Sequence, residues 1–244
     1  MTGTDVSPAR ILELFGGMPF LDNGFRPGRL LGAVSSVRQV QAGRQGLDLL
    51  PDARQWLAPD RAVQCRANAE PVAGYPMSQD RRERVEQVRQ ELVQLVGTWE
   101  PLFRLPVNYL MREGAALSGS SFWWPQHVFI GEASFSSDLE LREHVLHEQC
   151  HQWLYLLEEL FNLDLPDSSE LILPSGTSDR TPREVIGAAH VAAVLVRLYR
   201  ADDSPGHIAP LTEYGCGCLD LLEHHDHTLT DAGRAIVLRL KEAL

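Results

Sequence analysis

Cysteine, basic excess and long apolar runs are all scarce in this sequence, and each shortage removes a class of protein. Cys65, Cys150, Cys216 and Cys218 are too few and too unevenly spaced for a disulfide framework, and a reducing compartment would keep them as thiols. Lys and Arg number 22 against 33 Asp and Glu, a net charge of -11. That balance argues against sequence-independent binding to nucleic acid or anionic membrane and favours a small, peptide or basic substrate. No apolar stretch approaches the roughly 18 residues of a membrane-spanning helix. The opening MTGTDVSPARILELFGG lacks the basic start, long apolar core and small-residue cleavage site of a signal peptide, so a cytoplasmic protein is expected. Internal repeats and low-complexity tracts are missing too, which excludes a solenoid or a disordered linker.

What is there supports a folded enzyme-sized body. The 244 residues are 44% hydrophobic, enough for a real core. The expected class is α+β, mainly α, with residues 1–78 as an N-terminal extension packed on a domain spanning 79–244. Residues 8–15 read as a short helix stopped by Gly16-Gly17, whereas 22–78 show little periodicity beyond some helical turns near 47–57. Val85, Val88, Leu92, Leu95, Val96 and Trp99 recur at helical spacing and predict a helix over 79–99. Two apolar runs, 102–111 and 122–130, suggest strands pushed toward an edge or an end by Pro106 and Pro125. Ser137, three residues before Glu140, opens a helix reaching about residue 162. A loop around a short strand at 170–173 follows, then helices over 182–199, 211–224 and 230–243.

The helix that begins near Ser137 carries His147-Glu148-Gln149-Cys150-His151, an H-E-x-x-H motif. With 9 His in the chain, composition alone would supply this pattern about 0.02 times. Residues four apart share one helix face, with Cβ atoms about 6 Å apart, so both imidazoles can reach one metal with Glu148 beside them. The bland alternative is two surface histidines and a surface glutamate. His144 lies on the same face and reads as a neighbouring polar group.

Two histidines rarely hold a catalytic metal alone, so a third ligand has to be found. A metzincin would need a glycine and a histidine where this chain has Leu154 and Leu157. A downstream carboxylate could come from Glu158, Glu159, Glu170 or Glu184. Glu158 and Glu159 lie too far along the same helix, and Thr181-Pro182-Arg183-Glu184 is a complete helix start in which Glu184 reaches back to the cap. The following helix is apolar nearly all round, and His190 is the polar side chain in its middle. A buried imidazole needs a hydrogen-bond partner or a metal, and beside an H-E-x-x-H helix the metal is preferred. Arg183 and Arg197 are each seven residues from His190, on its face, and either could hold a carboxylate.

The order of an H-E-x-x-H helix followed about forty residues later by a buried helix that starts with Arg and carries a central His resembles the HExxH-motif proteins found with ribosomally made, post-translationally modified peptides. Their second segment resembles R-P-L-x-G-x-L-H. Here Arg183, Glu184, Val185, Ile186, Gly187, Ala188, Ala189 and His190 match it at Arg, Gly and His, after Leu173-Pro174-Ser175 in place of an S-P-W-R-like loop. The ending LTDAGRAIVLRL is similar to the family's closing helix, and the likeness covers roughly residues 120–244. The resemblance implies iron(II)- and 2-oxoglutarate-dependent hydroxylation of a peptide rather than its cleavage.

That chemistry is compatible with three imidazoles from His147, His151 and His190. Octahedral iron(II) held on one face leaves positions for the ketoacid and dioxygen, although the usual triad has one carboxylate. Arg183 or Arg197 would hold the distal carboxylate of 2-oxoglutarate by paired hydrogen bonds, and the substrate would be a peptide or an amino acid, free or carrier-bound. Glu148 would position water, substrate or a ligand histidine. The competing expectation is a zinc peptidase, with Glu148 as the general base and Glu170, Glu184 or His190 as third ligand. A third is a binding module in which the motif has no catalytic part. Cys216, Cys218, His224, His225 and His227 form a second dense group, but their spacing matches no zinc pattern and a helix would spread them around its axis.

Overall fold

In a computed structural model the described residues are 8–66, 74–114 and 116–244, with the side chains of 8–11 left aside. Along the chain run α1 (Pro8–Phe15), α2 (Pro27–Arg44), α3 (Pro59–Gln64), β1 (Tyr75–Pro76), α4 (Gln79–Leu95), α5 (Glu100–Phe103), β2 (Asn108–Arg112), β3 (Ser118–Ser120), β4 (His127–Gly131), α6 (Asp138–Glu158), α7 (Pro182–Ala201), α8 (Ile208–His224) and α9 (Asp231–Ala243). The class is α+β and mainly α. No described helix is long and apolar enough to cross a membrane.

Two compact units emerge, and they do not divide at residue 78. One is formed by residues 1–29 with 161–244, the other by 30–160. The stretch expected to be an N-terminal extension is therefore shared out, and its larger part belongs to the unit that carries α6.

In the 30–160 unit, α2 is an 18-residue helix where periodicity suggested none. Its buried stripe is Leu30, Val34, Ser35, Arg38 and Ala42. The spacing is helical, but a serine and an arginine stand at core positions, so an apolar count misses it. Arg38 is fully buried, and four of its five N–H groups are spent on hydrogen bonds. Its Nε and Nη2 donate to the two oxygens of Glu159 at 2.9 and 2.6 Å, and Nη1 donates to Trp56 O and Gln126 Oε1 at 2.7 and 2.6 Å.

The sheet order is β1-β2-β4-β3. β2 and β4 run parallel, from Asn108 opposite His127 to Arg112 opposite Gly131. β3 closes one edge antiparallel to β4, with Ser118 opposite Ile130. The apolar run 102–111 is split: Leu102 and Phe103 lie in α5, and the strand starts only at Asn108, beyond Pro106. β3 arises from the turn-rich GAALSGSS. Gln126, at the entry to β4, takes φ of 61°, a left-handed conformation that costs a non-glycine residue roughly 1–2 kcal/mol. It is held there by Arg38 and by its own donations to Pro106 O at 2.7 Å and to Leu57 O.

In the other unit α7 packs on α8 and α9, and α1 on α9. Gly16 ends α1 by turning to a left-handed φ of 75°, and a Cβ there would stand 2.0 Å from Gly24 O, so the position requires glycine. The strand expected at 170–173 is reduced to a single bridge between Leu171 and Arg180. The helices over 79–99 and to residue 162 end earlier, at Leu95 and Glu158.

Candidate metal centre

Ser137 caps α6, its Oγ accepting from Glu140 N at 3.2 Å, and three polar anchors then fix the rotation of the helix. Gln149 Nε2 donates to Tyr109 OH on β2 at 2.6 Å. Gln152 accepts from Gln126 N at 2.6 Å and donates to His127 O at 3.1 Å. Trp153 Nε1 donates to Leu102 O at 3.1 Å. With Leu146, Cys150, Trp153 and Leu154 buried, the face left over is that of His144, His147, His151 and Tyr155. Burial of Cys150 raises its thiol well above the ordinary range, so it is inert packing.

On that face the Nε2 atoms of His147 and His151 stand 3.1 Å apart. Two imidazole nitrogens about 2.1 Å from one metal lie about 3.0 Å apart at a right angle and about 3.4 Å apart at a tetrahedral one. The observed spacing, which also suits a hydrogen bond between the two rings, falls within that range and is compatible with both nitrogens reaching one metal. His147 keeps 40% of its side-chain surface exposed, whereas Glu148 keeps 3%. Glu148 Oε1 lies 3.9 Å from His147 Nε2 and accepts from Ser118 Oγ on β3 at 2.7 Å. Its Oε2 is buried with no hydrogen-bond partner among the described residues. His144 Nδ1 lies 3.2 Å from the same Ser118 Oγ. Burial, and then the neighbouring His147, lower the pKa of His144 below the usual histidine range.

Beyond His151 the face continues as an aromatic row. Tyr155 stacks on His151 at 5.9 Å and 18°, and Phe122 meets Tyr155 edge-on at 6.1 Å. Arg66 lies 4.0 Å above the Phe122 ring and 3.2 Å from Glu159 Oε1.

The remaining sequence candidates belong to the other unit. His190 is fully buried, and its Nε2 lies 2.9 Å from Pro19 O. A carbonyl only accepts, so the ring proton is on Nε2 and Nδ1 presents a lone pair. That Nδ1 has no hydrogen-bond partner among the described residues. Burial lowers the pKa of His190 to about 4, against the opposing pull of Pro19 O and Asp22. A ligand histidine ordinarily donates its other N–H to a carbonyl or carboxylate, so the ring is in the tautomer a metal would require.

Arg197 donates from Nη1 to Phe20 O and Leu21 O at 2.8 and 2.6 Å and from Nη2 to Asn23 Oδ1 at 2.6 Å. Its guanidinium ties down the loop after α1, which is a sufficient structural role. Arg183 is half-buried at the first turn of α7, and its backbone N donates to Asp164 at 3.4 Å. Glu184 is the cap that its sequence setting indicated: Oε2 accepts from Thr181 N and Oγ1 at 2.8 and 3.0 Å, and Oε1 accepts from Arg180 at 3.1 Å. Glu170 is exposed. Cys218 is buried and Cys216 exposed on α8. His224 and His225 turn their Nδ1 atoms to Asp220 O and Leu221 O.

Ser118 is the residue that sequence reading missed. It stands in a glycine- and serine-rich stretch that looks like a turn, and a three-residue strand leaves no periodicity to find. Among the described residues, no three His, Cys, Asp or Glu side chains are grouped to hold a metal ion. Within its unit the centre is an imidazole pair with one carboxylate beside it. Comparison of the chain with protein-family models and with curated proteins gives no match.

Proposed function

We propose that the protein is a metal-dependent oxygenase that uses iron(II) and 2-oxoglutarate to hydroxylate an unactivated carbon of a peptide or amino-acid substrate. The observation that carries the metal is the 3.1 Å separation of the His147 and His151 Nε2 atoms. His190 is the candidate for the third imidazole, on the tautomer of its own ring. Two of the downstream carboxylates that a zinc peptidase of this motif could draw on are engaged elsewhere. Glu159 is held by Arg38, and Glu184 closes a helix cap.

When bound, iron(II) with the ketoacid and dioxygen supplies an oxidising power that no side chain has. The chain supplies binding and orientation. His147 and His151 would offer their Nε2 atoms to the metal, and Arg183 or Arg197 is the arginine proposed for the distal carboxylate of 2-oxoglutarate; Arg197 in this state donates to the loop oxygens of Phe20 and Leu21. Glu148 is proposed to position water, substrate or a ligand histidine, a role supported by its Oε1 lying 3.9 Å from His147 Nε2.

The same carboxylate favours the second reading, a zinc peptidase with Glu148 as general base. Anaerobic addition of iron(II) and 2-oxoglutarate separates them. The oxygenase gives a weak visible charge-transfer band and, with substrate and dioxygen, succinate. No band, together with full activity on zinc, overturns the oxidative reading in favour of hydrolysis.

A further inference from the structure

We infer that Ser118, backed by His144, is a positioning residue that holds Glu148 Oε1 toward His147. The hydrogen-bond chain has one consistent direction. A carboxylate oxygen accepts, so the Ser118 hydroxyl spends its single proton on Glu148 Oε1 at 2.7 Å. The Ser118 oxygen can then only accept from His144 Nδ1, 3.2 Å away, which makes His144 the Nδ1–H tautomer.

The direction matters because the helix cannot hold Glu148 by itself. The carboxylate is 97% hidden, its Oε2 has no partner among the described residues, and its Oε1 accepts from Ser118 Oγ on β3. A buried carboxylate left with no donor is costly, and it is free to turn Oε1 away from His147. The edge strand therefore places the glutamate, and His144 fixes the orientation of the hydroxyl that does so. His144, three residues before the motif, gains a role that does not require it to be a ligand.

The meaning given to Oε1 rests on the metal-centre reading; the hydrogen-bond chain does not, and the test has an arm for each. In metal-free protein labelled with ¹⁵N, long-range ¹H–¹⁵N spectra report the tautomer of each histidine. His144 is expected as Nδ1–H in the wild type and in Ser118→Thr, which keeps the hydroxyl, and shifted toward Nε2–H in Ser118→Ala. An Nε2–H form in the wild type, or the same tautomer in all three proteins, overturns the chain.

In the second arm cobalt(II) replaces the native metal. The visible bands of Ser118→Ala are expected to move in the same direction as those of Glu148→Gln, with Ser118→Thr restoring the wild-type spectrum. Bands that respond to Glu148→Gln and ignore Ser118→Ala overturn the positioning role. A wild type that takes up no cobalt overturns the metal centre and, with it, the meaning of Oε1, while the tautomer result still decides the chain.

Discussion

His190 and Arg38 carry opposite kinds of burial, and each has a measurable consequence. His190 is buried in its neutral form with a pKa near 4, against about 6.5 for an unperturbed histidine. Between those values the unfolded chain takes up a proton that the folded chain refuses. Its contribution to stability is therefore complete above about pH 6.5 and is lost as pH falls toward 4, by about 3 kcal/mol in all. Urea unfolding of the metal-free protein from pH 7 to 4.5 is expected to show a slope that His190→Gln flattens. Arg38, by contrast, is buried charged, with Glu159 as its partner at 1% exposure on each side chain. Arg38→Ala leaves that carboxylate without its bidentate partner and is expected to cost about 3–5 kcal/mol in denaturant midpoint analysis. Joint replacement of Arg38 and Glu159 by Met and Leu should cost much less.

At the scale of elements, the start of α7 and the centre of α6 make different demands on the same residue type. Glu184 closes a cap, so Glu184→Ala is expected to lower stability by about 1 kcal/mol and to leave metal uptake unchanged. Loss of metal on that substitution would move the third ligand from His190 to Glu184. Glu148→Gln is expected to leave uptake intact, because in the proposed centre the imidazoles would bind the metal and the carboxylate would only orient.

Helices with a cap and an apolar stripe, α4, α6, α7 and α9, were legible in the sequence because local rules and tertiary packing agree there. α2 was not, since Arg38 and Ser35 occupy its buried stripe and are satisfied only by residues distant in sequence, such as Glu159. β3 was not, because Ser118–Ser120 is shaped by its pairing with β4 rather than by its own residues. The motif histidines were legible from spacing alone. The serine that orients the glutamate was not, because its meaning lies in a hydrogen bond across thirty residues.

For the whole molecule, the division into units follows long-range ties rather than composition. Asp22 accepts from Met18 N at 2.7 Å and from Arg239 Nη2 at 2.6 Å, so a segment near the N-terminus is bound into the unit that contains α9. No composition shift marks residue 29 or 161, which is why a boundary at 78 looked natural. A metal that binds only the folded chain raises stability by about 2.7 kcal/mol at a hundredfold excess over its dissociation constant. Thermal unfolding with and without iron(II) is expected to show that increase in the wild type and lose it in His147→Ala and His151→Ala.

X-ray absorption of the anaerobically iron(II)-loaded protein tests the central claim most directly. One equivalent of iron is expected, with the outer-shell scattering of imidazole rings, and replacement of either His147 or His151 should reduce both occupancy and that scattering. Iron that fails to bind, or that binds with oxygen scattering indifferent to both substitutions, would contradict a metal centre built on this pair.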